Sequence, residues 1–328
     1  MLAGGVYPWR ASTCRDSAVN RPEATTNLTV SESRIKSDVA TLSLTPRNSG
    51  ENEQPHATAA NWIANQFANI GLAVERTAFD IPMQSPERSG LNIIATLNPD
   101  STDQPILNGA HYDTVPGSPG ADDNASGVAA MLECARILVE VGSSRKVVFA
   151  AFDAEELQSP AEGLHGSTAY VAVLRDADRP SAAVILETIG FSSTKIKQSL
   201  PVSFRFLFRR VYKALRRQNF EANSLLILSK HSSRRISRSL EQAASNPEIE
   251  LPILPLEVPW WMPVVRNLRR SDHATFWQAG IPAVMISDTA NFRNPNYHKP
   301  TDTAETIDSA MIAKATAMIL EAITLGTI

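Results

Sequence analysis

Five short apolar runs constrain this chain more than any other feature. LNIIATL (91–97), PILNGA (105–110), KVVFAAF (146–152), AAVILE (182–187) and PAVMIS (282–287) are six or seven residues long and lack the polar alternation of a half-exposed strand. Runs of this kind are strands buried on both faces, as in a largely parallel sheet. Between the second and third, SGVAAMLECARILVEVG has the length and apolar spacing of a covering helix, which makes a strand–helix–strand unit. Upstream, HATAANWIANQFANIGL sets Ala60, Ile63, Phe67 and Ile70 at helical spacing, with Gly71 as a stop. The expectation is an α/β domain over residues 31–328, with a central, mostly parallel mixed sheet and helices on both faces. Residues 1–30 are polar and turn-rich and read as a loose arm, and residues 192–262 are the least legible part of the domain.

A content of 43% hydrophobic and 20% charged residues suits a soluble protein with a sizeable core. No stretch approaches the roughly 20 apolar residues of a membrane span, and the N-terminus lacks the apolar run of a signal peptide. As written, the chain is expected to be cytoplasmic with no membrane partner. Asn27 nevertheless opens an NLT sequon, and an incomplete start would leave export open. Cys14 and Cys134 are too few for a disulfide framework and are not spaced as thiolate ligands, so any metal must be held by His and carboxylates. Charge is uneven: Lys195 to Arg238 holds twelve of the 31 basic residues and one of the 34 acidic ones, Glu221. No nucleic-acid-binding motif accompanies this run, so a solvated helix face is its commoner explanation and no nucleic-acid partner is expected.

The polar residues gather where the apolar runs stop. His111 and Asp113 follow PILNGA, Glu155 and Glu156 follow KVVFAAF, Glu187 closes AAVILE, and Asp122 and Asp123 sit in GADDNASG ahead of the covering helix. Open α/β sheets bind ligands outside the carboxyl ends of their strands. So many acids on one edge would repel and take up protons unless a cation neutralised them. Imidazole and carboxylate without thiolate suit zinc at a catalytic site, and the acids supply enough oxygens to bridge two ions. Of two adjacent glutamates, one can ligate while the other takes a proton from water.

In order and spacing, GAHYDTVPGSPGADDNASGVAAMLE, FAAFDAEE, GLHGSTAYV, LETIGF, RSDHATFWQAGIPAVMISDT and NPNYHKPTDTAETID resemble the motifs of the co-catalytic di-zinc aminopeptidase family. That family groups bacterial leucyl aminopeptidases with glutamate carboxypeptidase and, more distantly, glutaminyl cyclase and the transferrin receptor. The resemblance runs from about residue 45 to the C-terminus. It implies a zinc-exopeptidase-like domain with two zinc ions. His111 and Glu187 would hold one ion, Glu156 and His298 the other, and Asp122 would bridge them with a cis peptide bond after it. Asp113 would orient His111, and Glu155 would be the general base. Many relatives carry aspartate where this chain has Glu187. Leucyl aminopeptidases use a tyrosine before SDH to polarise the substrate carbonyl; NLRRSDH offers none, so Tyr297, which matches the glutamate carboxypeptidase branch, takes that place. His273 would pack or hydrogen-bond rather than ligate, and His56, His165 and His231 have no evident partners.

The resemblance implies a zinc exopeptidase, an aminopeptidase acting on peptides with a free N-terminus. A dipeptidase or carboxypeptidase would use the same core, with Arg293 as a holder of the substrate carboxylate. A glutaminyl cyclase would lose part of the ligand set, and a receptor-like binding domain would lose ligands or base; this chain has all of them. The substrate pocket would come from residues 192–262, whose basic character raises acidic substrates. Oligomeric state is not legible.

Overall fold

The structure, a computed structural model, describes residues 29–81, 88–157, 163–201, 203–259 and 268–328. Of the arm expected over residues 1–30, all but the last two lie outside the described residues. The strands are β1 (Ala73–Ile81), β2 (Arg88–Leu97), β3 (Ile106–His111), β4 (Val147–Phe152), β5 (Ala182–Glu187), β6 (Ser193–Lys197), β7 (Glu221–Ala222), β8 (Leu225–Lys230), β9 (Ile253–Val258) and β10 (Ala283–Ser287). The helices are α1 (Glu32–Leu42), α2 (Glu53–Asn69), α3 (Gly127–Glu140), α4 (His165–Ala172), α5 (Phe204–Leu207), α6 (Arg209–Arg217), α7 (Arg234–Ala244), α8 (His273–Gln278) and α9 (Ser309–Thr324).

All five apolar runs are strands of one eight-stranded sheet of order β1-β2-β4-β3-β5-β10-β8-β9. Its centre, β4-β3-β5-β10, is parallel; β2 joins β4, and β8 joins β10, antiparallel. Side chains alternate between two cores. Ile106, Phe149 and Val184 pack with α1, α2, α3, α7 and α9, while Leu107, Ala150 and Ile185 pack with α6 and α8 on the other face. Ala60, Ile63 and Phe67 are buried as their spacing requires, and Gly71 ends α2 with φ +84°, a conformation glycine adopts without strain.

The poorly legible segment contributes two strands to the main sheet. β9 carries Pro255, which has no N–H to give a second neighbour, and it lies at the sheet edge where none is needed. β1 lies at the opposite edge and is mostly exposed, so it lacks an apolar run altogether.

Candidate metal centre

The parallel strands deliver the polar residues to one edge. His111 ends β3, Glu187 ends β5, and Glu155 and Glu156 occupy the turn after β4. Asp122 and Asp123 precede α3, and Tyr297 and His298 follow β10.

His111 and His298 face the two oxygens of a single carboxylate, which belongs to Asp123. His111 Nε2 lies 3.3 Å from Asp123 Oδ1, and His298 Nε2 lies 3.0 Å from Oδ2. Each imidazole meets one further acid: Glu187 Oε2 at 3.5 Å from His111 Nε2, and Glu156 Oε1 at 2.8 Å from His298 Nε2. Two half-sites therefore share Asp123. His111 Nε2 and both Asp123 oxygens are buried without a hydrogen-bond partner among the described residues, although buried polar atoms are rarely left unpaired. Donor atoms of His111, Asp123 and Glu156 fall within 4.8 Å of one another. Two imidazoles and three carboxylates, with three orphaned donor atoms converging, fit a divalent cation of the zinc type.

This arrangement corrects the sequence expectation for Asp122. Its oxygens accept hydrogen bonds from Gly190 N (2.8 Å) and Asn294 Nδ2 (2.6 Å), and its carboxyl faces Asp288. The cis peptide joins Asp123 to Asn124 rather than following Asp122. The backbone at Asp123 (φ −111°, ψ 84°) is not helical, and in such a segment neighbouring side chains diverge, so only one of the two aspartates reaches the histidines. Sequence spacing alone does not say which one.

Asp113 works through its neighbours. Its carboxylate accepts the N–H groups of Glu155 and Glu156, each at 3.0 Å, and Oδ1 lies 3.5 Å from His111 Nδ1. Asp113 thus fixes the glutamate turn through its side chain and the imidazole through its backbone O, 3.2 Å from His111 Nδ1. Gly163 closes on the same turn: a Cβ there would lie 2.1 Å from Glu155 O. Among the described residues, Glu155's carboxyl accepts no hydrogen bond and stands 6% exposed beside the half-sites. Burial first, then repulsion from Glu156 and Glu187, drives Glu155 well above the usual carboxylate range. Burial and Asp123 bring Glu156 to about 8, while its two histidine partners hold Asp123 down against burial.

Several supports escaped the sequence reading. Asp302 accepts the N–H groups of Asp122 (2.9 Å) and Asp123 (3.2 Å). Asn124 ties the same loop to Leu186 O and Thr188 N, and Ser271 donates to Glu187 Oε2 at 2.8 Å. Arg47, 1% exposed, donates to Leu42 O, Tyr112 O, Pro119 O and Gly120 O, the last two just ahead of Asp122. Burial lowers its guanidinium to about 10, which leaves it charged at neutral pH. His56 has a partner after all, Asp153 Oδ1 at 2.7 Å. His273 is buried, with Nε2 donating to Leu268 O and its ring edge-on to Trp277.

Tyr297 stacks on His298 (centroids 3.8 Å apart, 18° between planes), and its hydroxyl accepts from Arg270 at 3.2 Å. With Glu187 it borders a cavity of about 340 Å³ whose walls include Leu200, Phe204, Phe208, Val211, Leu215 and Leu256. The basic segment turns its apolar side to this cavity, and Arg270 contributes a cation to its lining. Arg293, considered as a carboxylate holder, does not line this cavity: it is 4% exposed, with Nε donating to Thr289 Oγ1 and Nη2 to Ser224 O.

Comparison with known proteins converges on the same region. The profile described as Peptidase family M28 matches residues 92–231 and 262–323. The chain is 32% identical over 268 residues to YfbL of Escherichia coli K12, an uncharacterised protein, covering 78% of this chain and 76% of that one. It is 30% identical over 253 residues to aminopeptidase YwaD of Bacillus subtilis, covering 71% of this chain and 44% of that one. Among solved structures, BSAP, a zinc aminopeptidase from Bacillus subtilis, superposes with a TM-score of 0.68 at 19% identity, over 90% of this chain and 95% of that one. Glutaminyl cyclase of Porphyromonas gingivalis gives 0.67 at 19%, over 91% and 99%, so the fold alone does not choose between hydrolase and cyclase.

Proposed function

Since the chain belongs to peptidase family M28, we propose that it is a zinc aminopeptidase that removes apolar residues from peptides with a free N-terminus. The observation that carries this reading is the division of Asp123's two oxygens between His111 and His298, each half completed by a glutamate. In the proposal Asp123 is the ligand shared by two ions, with His111 and Glu187 on one and His298 and Glu156 on the other. Bound zinc would supply Lewis acidity toward the peptide carbonyl and lower the pKa of water.

The remaining chemistry belongs to the chain. Glu155 is a buried carboxylate beside both half-sites; it accepts the proton of the attacking water and delivers it to the leaving amine. Asp113 holds Glu155 and His111 in their orientations. Tyr297 steadies the developing oxyanion from the cavity side, and Arg270 aims its hydroxyl. The apolar cavity takes the first side chain, because apolar area leaving water there stabilises the complex by about 25 cal/mol per Å².

Hydrolysis of leucyl, phenylalanyl, glutamyl and lysyl amides, free and N-acetylated, with metal content measured alongside, checks the proposal. The expected result is close to two zinc ions per chain, loss of turnover on chelation, preference for the apolar amides, and no turnover of the acetylated set. Cyclisation of N-terminal glutamine with a single ion bound would establish the cyclase reading instead.

A further inference from the structure

The basic segment has a second side that the metal centre does not use. At about 100° per residue, Arg209, Arg210, Lys213, Arg216 and Arg217 fall on one stripe of α6, opposite Val211 and Leu215, which are buried. All five cations are exposed, and no acidic residue occurs between Lys195 and Phe220. Lys197 pairs with Glu221 at 3.9 Å, but among the described residues no carboxylate lies within ion-pair distance of the stripe. Just ahead of it, Phe206 stands 64% exposed with the Arg205 guanidinium 4.5 Å from its ring centre.

Five cations without carboxylate partners among the described residues, next to an exposed aromatic, complement a surface that is anionic and apolar just beneath. We propose that the outer face of α5 and α6 docks the protein onto an anionic lipid bilayer. Phe206 enters the headgroup layer, and Arg205 and the stripe lie against its phosphates. No described helix is long and apolar enough to cross a membrane, and attachment of this kind needs none. A nucleic acid could meet the same charges and stack on Phe206, so it is set against the bilayer in the test.

Flotation with phosphatidylcholine vesicles, with and without phosphatidylglycerol, reads the docking directly. Wild-type protein should float with the anionic vesicles only, and less so as salt rises. A cation at an anionic surface contributes about 1 kcal/mol, or about fivefold in partitioning, so K213Q/R216Q/R217Q should bind roughly 100-fold more weakly. F206S should weaken binding without changing its salt dependence. Neither variant touches the cavity, so both should hydrolyse a soluble aminoacyl amide at the wild-type rate, which separates this proposal from the enzymatic one. Wild-type protein that stays in solution with anionic vesicles, or a triple variant that floats as well as wild type, overturns it. So does tighter binding to an oligonucleotide than to the vesicles.

Discussion

Asp123→Asn and Asp122→Asn, made separately, distinguish the two members of the aspartate pair. In Asp123→Asn one oxygen of the shared carboxylate becomes an amide that neither ligates nor carries charge. Whichever half-site it faces, His111 at 3.3 Å or His298 at 3.0 Å, is left with one imidazole and one glutamate. Loss of a partner that merely orients a ligand costs about 10–100-fold in metal affinity, so the half-site that loses its oxygen should weaken by at least about that much, and the other is weakened by loss of the shared charge. Dialysed protein should then hold far less zinc than wild type and show little activity. Asp122→Asn behaves differently. Its amide can donate to Asp288, but it cannot still accept from both Gly190 N and Asn294 Nδ2. One buried hydrogen bond goes unmade, which costs about 1–3 kcal/mol, seen as a small drop in Tm with metal retained. Zinc stoichiometry beside thermal melting reads both effects. Full zinc in Asp123→Asn with depleted zinc in Asp122→Asn would refute the assignment and return the shared position to Asp122.

The adjacent glutamates should part in the same way: Glu155→Gln keeps zinc and loses about 10²- to 10⁴-fold in turnover, as loss of a general base does, whereas Glu156→Gln lowers zinc occupancy and regains activity with added metal. Steady-state kinetics with metal analysis checks both, and wild-type turnover in Glu155→Gln would remove the base from the mechanism. His56 gives a pH signature. Burial opposes its protonation, but Asp153 outweighs burial and raises its pKa above 6.5. The ion pair therefore stabilises the fold fully below pH 6.5 and fades as pH rises through the raised value. The Tm gap between wild type and His56→Gln should accordingly narrow with increasing pH.

How legible the fold was depended on burial. Strands buried on both faces, such as VVFAAF and AAVILE, announce themselves as apolar runs, and so do α2 and α3. β1 and β9 are edge strands, one largely exposed and one interrupted by Pro255, and neither carries such a run. In the candidate metal centre, the placement of residues at strand ends was readable because the strand fixes where its last side chain points. His111 and Glu187 are of this kind. Asp123 sits where the backbone leaves helical geometry, and there a neighbour one position away fits the same motif. Arg47, Asp302 and Asn294 reach the site from distant parts of the chain, and no local pattern marks them.

Arg47 bears on where this protein may be cut. The match to the family profile begins at residue 92, yet the loop leading into Asp122 and Asp123 hangs on a guanidinium supplied by the segment between α1 and α2. Excision at that boundary would strip three carbonyls, those of Tyr112, Pro119 and Gly120, of their donor and loosen that loop. The stretch that the family profile matches is thus smaller than the stretch that must fold as one piece. A chimera of two such enzymes should be joined upstream of α1, with Arg47 and the loop it holds taken from the same parent.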